Sequence, residues 1–76
     1  MKNKLWIRFN YNDEEFEDYN IIKYNIYEKL GYVLLTYHNE EMKSNVCRPV
    51  YLDGVEFIEI CQDGICTEII NIKKGE

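Results

Sequence analysis

Two thiols, two carboxylates and a run of acids are the groups in this sequence whose types and spacing bear on chemistry. Cys61 and Cys66 flank Asp63-Gly64. Asp-Gly between alternating apolar segments predicts a type I′ hairpin. A two-residue loop then sets Gln62 opposite Ile65 and Cys61 opposite Cys66. The cysteines meet at a non-hydrogen-bonded site, where Cβ atoms approach most closely. Such a pair is either a labile disulfide or, as is usual in a reducing cytosol, two buried thiols. A zinc site would recruit Glu59, Glu68 or His38 as well. The spacing Cys-x4-Cys is not the doubled Cys-x2-Cys that marks a zinc knuckle, and Cys47 projects from the other face. No metal and no cofactor is expected.

The same register sets Glu59 opposite Glu68, with Arg48 beside Glu59. Close carboxylates drive each other's pKa apart and can serve as an acid–base dyad. With no nucleophile or phosphate loop in company, a charge ladder bridged by Arg48 is the plainer reading. His38 is the one histidine. A dyad with Cys47 is conceivable, but an exposed or hydrogen-bonded ring is the ordinary state of a histidine at a strand end. The chain carries no self-sufficient catalytic motif and is not expected to be an enzyme.

The third group is Asp13-Glu14-Glu15-Phe16-Glu17-Asp18, five acids in six positions in a chain of net charge −5. Negative charge of that density repels phosphates and anionic lipid and attracts a basic surface. It also suits the start of a helix, where acids complement the dipole. The candidate partner-binding residues are Asp13, Glu14, Glu15, Glu17, Asp18 and Tyr19, with Glu40 and Glu41 as an extension. The chain has seven tyrosines, and tyrosine is a frequent interface residue because a large rigid ring carries a polar tip.

The elements that must position these groups follow from periodicity. Lys4–Tyr11 alternates apolar and polar, a half-buried strand. Asn12 resembles an N-cap with Glu15 completing a capping box. Phe16, Tyr19, Ile22, Ile26, Tyr27 and Leu30 then share one helical stripe, closed by Gly31 as a left-handed C′ residue. Ile21 and Tyr24 fall off that stripe. The rival is a strand over Tyr19–Tyr27 with a turn at Glu28–Gly31, favoured by its isoleucine and tyrosine content. Tyr32–His38 is a strand and Asn39–Asn45 a polar loop. Val46–Leu52, Val55–Gln62 and Ile65–Ile72 form a three-stranded meander joined by two Asp-Gly hairpins. In that meander Val46, Arg48, Val50 and Leu52 face Cys61, Glu59, Phe57 and Val55. Pro49 cannot donate to a ladder, which puts its strand at an edge.

The expected fold is therefore α+β: a small antiparallel sheet of about four to five strands with one helix packed on it, over a single domain spanning residues 1–76. Both meander faces are apolar and one helix covers only one. The second face is left to the N-terminal strands, a second subunit or a target, so a homodimer or a partner-binding face is expected. A domain this small buries only about 60% of its unfolded surface.

No apolar run nears the ~20 residues that span a bilayer. The basic start Met1-Lys2-Asn3-Lys4 is followed by alternation rather than a signal-peptide core, so a cytoplasmic location is expected. Phe, Tyr, Met, Ile, Asn and Lys total 37 residues against seven for Gly, Ala, Arg and Pro, the mark of an AT-rich coding sequence. The profile is similar to that of small phage or prophage accessory proteins that inhibit a host enzyme, a likeness of class that carries over no residues. The first functional expectation is a stoichiometric inhibitor. It would dock its acidic, tyrosine-rich surface on a protein with a basic surface, such as a nuclease or another nucleic-acid-processing or defence enzyme, without binding nucleic acid or membrane itself. The alternatives are a self-assembling module that sequesters a small ligand or serves structurally, and an immunity protein or antitoxin.

Overall fold

The computed structural model describes residues 4–72; residues 1–3, the start of the basic N-terminus, lie outside them. Seven strands follow in order: β1 (Leu5–Tyr11), β2 (Phe16–Ile21), β3 (Lys23–Tyr27), β4 (Tyr32–Asn39), β5 (Ser44–Tyr51), β6 (Val55–Gln62) and β7 (Ile65–Asn71). A single 3₁₀ turn, Glu28–Leu30, separates β3 from β4. The strands form two antiparallel sheets, one ordered β2-β1-β6-β7 and the other β3-β4-β5. Their inner faces share one core of Ile7, Phe9, Ile21, Val55, Ile58 and Ile60 from the first sheet and its entry, and Val33, Leu35, Val50 and Leu52 from the second sheet and its exit. The shortest axis of the molecule is 19 Å, room for two sheets at the usual spacing of about 10 Å plus their outward side chains.

This architecture corrects the expectation of an α+β fold. No α-helix occurs among the described residues, and the segment expected to be helical is a strand, a bend, a second strand and a 3₁₀ turn. Asn12 is not an N-cap: its N–H bonds the Gly54 carbonyl at 2.9 Å. Residues 12–15 instead turn the chain back on itself. The Tyr11 N–H donates to Glu15 O at 2.8 Å, the Asp13 carboxylate accepts the Glu15 N–H at 3.2 Å, and Glu14 takes φ 70°.

The false stripe has a physical cause. At Ile22 the chain leaves the first sheet and joins the second, where the Ile22 N–H donates to Thr36 O at 2.7 Å. That crossing shifts the inward phase by one residue. Tyr19 and Ile21 face inward before it, Tyr24 and Ile26 after it. Two period-two strands out of phase imitate a longer period. Phe16, Ile22, Tyr27 and Leu30, which the helical reading places on its apolar stripe, are all exposed. The rival strand reading of Tyr19–Tyr27 is the one the backbone follows, and Gly31 does take the left-handed conformation expected of it, at φ 84°.

The two Asp-Gly pairs part company. At Asp63-Gly64 both residues have positive φ, 54° and 84°, as a type I′ hairpin demands. The expected pairs Gln62/Ile65 and Cys61/Cys66 are present. At Asp53-Gly54 only the glycine has positive φ. The Val55 N–H closes the turn on Leu52 O at 3.0 Å, and the Leu52 N–H is held by Gly31 O at 2.9 Å. This is a corner that carries the chain from the second sheet into the first, so β5 and β6 do not pair and the three-stranded meander does not form.

Arg48 stands opposite Leu35, Val46 opposite Tyr37 and Val50 opposite Val33, while Glu59 stands opposite Arg8. A bulge between Ile60 and Cys61 moves the rest of β7 by one residue, so Glu59 faces Ile69 rather than Glu68, and Phe57 faces Asn71 rather than Ile70. The carboxylate pair is thereby dissolved. Pro49 does lie on an edge strand, since β5 ends the second sheet.

The helical and sandwich readings assign opposite fates to two phenylalanines. Phe9 has no exposed surface and Phe16 is 54% exposed. Phe9→Ala should cost about 3–5 kcal/mol, and Phe16→Ala less than about 1 kcal/mol. Urea denaturation of the two variants checks this, and comparable losses would overturn the placement.

Candidate functional site

The outer face of the first sheet is the surface on which side chains of different chemistry converge. Direct partners in an antiparallel ladder point to the same face, so register alone lays out its rows. Phe16, Asn10, Phe57 and Asn71 form one row; Asp18, Arg8, Glu59 and Ile69 the next; Asn20, Trp6, Cys61 and Cys66 the third. Each row draws on all four strands and on both ends of the chain.

Arg8 is the centre of this face. Its Nε donates to Asp18 Oδ1 at 2.6 Å and its Nη2 to Asp18 Oδ2 at 3.0 Å, a two-pronged pair. The guanidinium carbon lies 4.2 Å from the Phe16 ring centre and 5.3 Å from that of Trp6. The hydrogen bond that Arg8 donates to Asp18 raises the Arg8 pKa against an opposing effect of burial, with smaller help from the Asp18 and Glu59 charges. Solvent-exposed ion pairs add little stability. What the bond and the two rings do is hold a planar cation in one orientation. On the other side of Arg8, Asn10 Nδ2 donates to Glu59 Oε1 at 3.1 Å and to Phe57 O at 3.4 Å.

The centre of the face is thus an acid–base–acid stripe with internally paired groups, bordered by aromatic and apolar side chains. Phe16 and Ile69 are more than half exposed. Trp, Arg and aromatic anchors in that arrangement are what protein interfaces concentrate at their energetic centres.

The expected acidic surface is only partly assembled. Asp13, Glu14 and Glu15 stand exposed on the β1–β2 turn beside Phe16, and Asp13 and Asp53 both line an open hollow with Tyr11, Asn12 and Gly54. Asp18 is committed to Arg8. Glu17 faces the other way and accepts hydrogen bonds from the hydroxyls of Tyr19 at 2.8 Å and Tyr11 at 3.1 Å. Tyr19 packs edge-on against Phe9 at 5.7 Å and beneath the Arg48 guanidinium at 5.8 Å, which makes it a support of the core margin. Glu40 and Glu41 follow β4 at its far end. Gly31 and Leu52 mark the near end of β4, beside the acidic turn, and eight residues of strand at about 3.3 Å each keep the two acidic groups apart.

The remaining candidates separate as well. His38 Nδ1 contacts Asn45 Oδ1 at 3.2 Å, and Cys47 Sγ contacts Thr36 Oγ1 at 3.5 Å, so each is engaged apart from the other. Among the described residues no three His, Cys, Asp or Glu side chains gather as a metal site. Cys61 is buried and Cys66 exposed. Burial first, then the hydrogen bond to Cys66, pushes the Cys61 thiol up to about 11. Trp6, Arg8, Asn10, Phe57 and Ile69 escape the sequence reading. For the first three a signal was there, since they form the outward half of the β1 alternation.

The second sheet has its own outward feature. Tyr27, Tyr32 and Tyr51 form a row across β3, β4 and β5, with ring centres 5.3 and 6.2 Å apart. Beside it a shallow cavity of about 500 Å³ is lined by Leu30, Tyr32, Leu34, Pro49 and Tyr51.

No family model matches the chain, and no curated protein or solved structure is detectably similar to it. No helix among the described residues is long and apolar enough to cross a membrane. The fold and surface together define a small antiparallel β-sandwich with an aromatic outer face and an acidic turn at its rim.

The Tyr11–Glu17–Tyr19 cluster gives a pH signature. Burial, followed by Glu17, pushes the Tyr11 hydroxyl up from 10.0 to about 12; the same causes raise Tyr19. A folded pKa above the unfolded one means the protonated form is favoured by folding. This contribution is fully present below pH 10 and is lost as pH rises through about 12. Ultraviolet titration should show a late tyrosinate fraction, and Glu17→Gln should bring that fraction down. An unchanged profile in the variant would refute the assignment.

Proposed function

We propose that the protein is a stoichiometric binding module. The outer face of its first sheet, with Trp6, Arg8, Phe16, Phe57 and Ile69 as anchors, docks on a partner protein, and the acidic turn Asp13-Glu14-Glu15 meets a basic surface beside it. The observation that carries this reading is the contiguity of the two: Phe16 belongs to the first aromatic row and follows Glu15 directly on the turn. The partner class that suits this chemistry is a cytoplasmic nucleic-acid-processing or defence enzyme, whose channel is basic in order to hold phosphate. Binding it would inhibit it. The net charge of −5 supports the same choice, because an acidic protein is steered toward such a channel and away from nucleic acid and anionic lipid.

The test is capture from a low-GC bacterial lysate with tagged wild-type protein and two variants. One carries Asp13→Lys, Glu14→Lys and Glu15→Lys; the other carries Trp6→Ala with Phe16→Ala. The expected result is one stoichiometric partner with a basic surface, released by added salt and lost with both variants. A partner retained by both variants, or none above the tag-only control, counts against the reading.

A second reading, self-association, rests on a different observation: the tyrosine row and cavity on the outer face of the second sheet, where Leu30 is 69% exposed. If copies pair there, Leu30→Asp should shift sedimentation from dimer to monomer. A wild-type protein that sediments as a monomer at all concentrations disposes of this reading and leaves the first untouched.

A further inference from the structure

Three features take no part in the docking proposal: the tyrosine-lined cavity, the free edge of β7, and the Cys61/Cys66 pair. For the cavity nothing else fixes what would occupy it. The edge strand already carries the bulge that sheets use to discourage pairing. The thiols carry a specific chemistry.

We propose that Cys61 and Cys66 are a peroxide-responsive dithiol that closes to an intramolecular disulfide and clips the edge strand β7 to β6. The geometry comes first. The type I′ turn at Asp63-Gly64 makes Gln62/Ile65 the hydrogen-bonded pair, and Cys61/Cys66 is the next pair outward. At such a non-hydrogen-bonded site Cα atoms stand about 4.5 Å apart, inside the range of about 4.4–6.8 Å that disulfides bridge. Both side chains lie on the outer face, in the row headed by Trp6. The bridge would join residues that already face each other across the ladder.

The two cysteines differ in their access to solvent. Cys66 is open to solvent on an edge strand, while Cys61 is 4% exposed. Exposure decides which of the two an oxidant reaches first; the Cys66 sulfur also contacts Glu59 Oε2 at 4.0 Å and Glu68 O at 3.8 Å. The chemistry runs in two balanced steps. The Cys66 thiolate attacks one oxygen of a hydroperoxide and the O–O bond breaks. With hydrogen peroxide this gives a sulfenic acid and, after protonation of the leaving oxygen, water. Cys61 sulfur then attacks Cys66 sulfur, losing its proton; the S–O bond breaks, a second water leaves, and the S–S bond forms. Peroxide is reduced and the dithiol oxidised, two electrons in all.

β7 explains what the clip accomplishes. It has a neighbour on one side only, and most of its residues are exposed. Reduced, it is held by its ladder with β6 and a few side-chain bonds, among them Thr67 Oγ1 to Ile60 O at 3.2 Å and Tyr24 Oη to Glu68 at 3.4 Å. Oxidised, it is joined covalently at its start. The proposal concerns the chain alone and stands or falls independently of any docking partner.

The experiment is a thiol map. Purified reduced protein is treated with excess hydrogen peroxide, alkylated, digested and analysed by mass spectrometry, alongside Cys66→Ser and Cys61→Ala. The expected product has lost two hydrogens, links Cys61 to Cys66 within one chain, keeps Cys47 alkylated, and reverts with dithiothreitol. Neither variant should form an internal link. Cys66 is exposed, so its serine variant should fold, and far-UV circular dichroism checks that it does. Wild-type protein that retains three free thiols overturns the proposal. So does Cys66 ending as a sulfinic acid or an intermolecular disulfide while Cys61 stays free.

Discussion

The pairing of β1 with β6 is the constraint on which this molecule depends. It joins the N-terminal hairpin to the C-terminal one and sets Ile7 against Ile60 and Phe9 against Ile58. All four side chains are buried or nearly so and form the floor of the core. The same ladder fixes the opposite face, because alternate residues of a strand have no choice of side. Once Ile7 and Phe9 point inward, Trp6, Arg8 and Asn10 point outward and meet Cys61, Glu59 and Phe57. Core and candidate surface are two consequences of one register. A slip of one residue would bury Arg8 and expose Phe9, and burying an unpaired charge is far costlier than any surface gain.

This dependence also says how the fold assembles. The hairpins β1–β2 and β6–β7 close locally, each over a short turn, but neither buries much alone. The β3–β4–β5 meander between them supplies the opposing layer. The ladder that completes the first sheet pairs segments from opposite ends of the chain, so loop-closure entropy is met late. Two corners make this topology possible. Ile22 carries the chain from the first sheet to the second, and Leu52–Val55 carries it back. Each is anchored by a backbone hydrogen bond to the second sheet or its approach, Ile22 to Thr36 and Leu52 to Gly31.

What was legible in the sequence was local, and what was missed was phase or distance. β1, β4 and the three C-terminal strands are readable from alternation and turn residues. So are the Cys61/Cys66 pair, the edge position of Pro49 and the conformation of Gly31. Asp-Gly, however, signals a turn without stating which sheet the next strand enters. At residue 63 the aspartate accepts positive φ and a hairpin follows; at residue 53 it does not, and the chain changes sheets. A bulge between Ile60 and Cys61 is equally silent in composition, and one extra residue suffices to break the apparent Glu59/Glu68 pair. The acidic run announces its charge but not its element, because an asparagine followed by acids suits an N-cap and a hairpin turn alike.

The helical misreading and the unusual surface share a cause. A sheet crossing shifts the inward phase at Ile22, and the false stripe joins two inward residues, Tyr19 and Ile26, to four left out of phase with the core. Phe16, Ile22, Tyr27 and Leu30 therefore had to finish in water. In a chain of ten isoleucines, seven tyrosines and no alanine, folded as a thin sandwich, some large apolar side chains must be exposed. Their placement is not uniform. Phe16 stacks on Arg8 in the first sheet's outer face, and Tyr27 and Leu30 edge the tyrosine row of the second. Three of the residues that mimic a helix, Phe16, Tyr27 and Leu30, thus add to the apolar exteriors of the two sheets. An amphipathic strand turns polar groups to water; here both exteriors keep aromatic anchors beside fixed polar groups, which is the composition of a surface made to be covered.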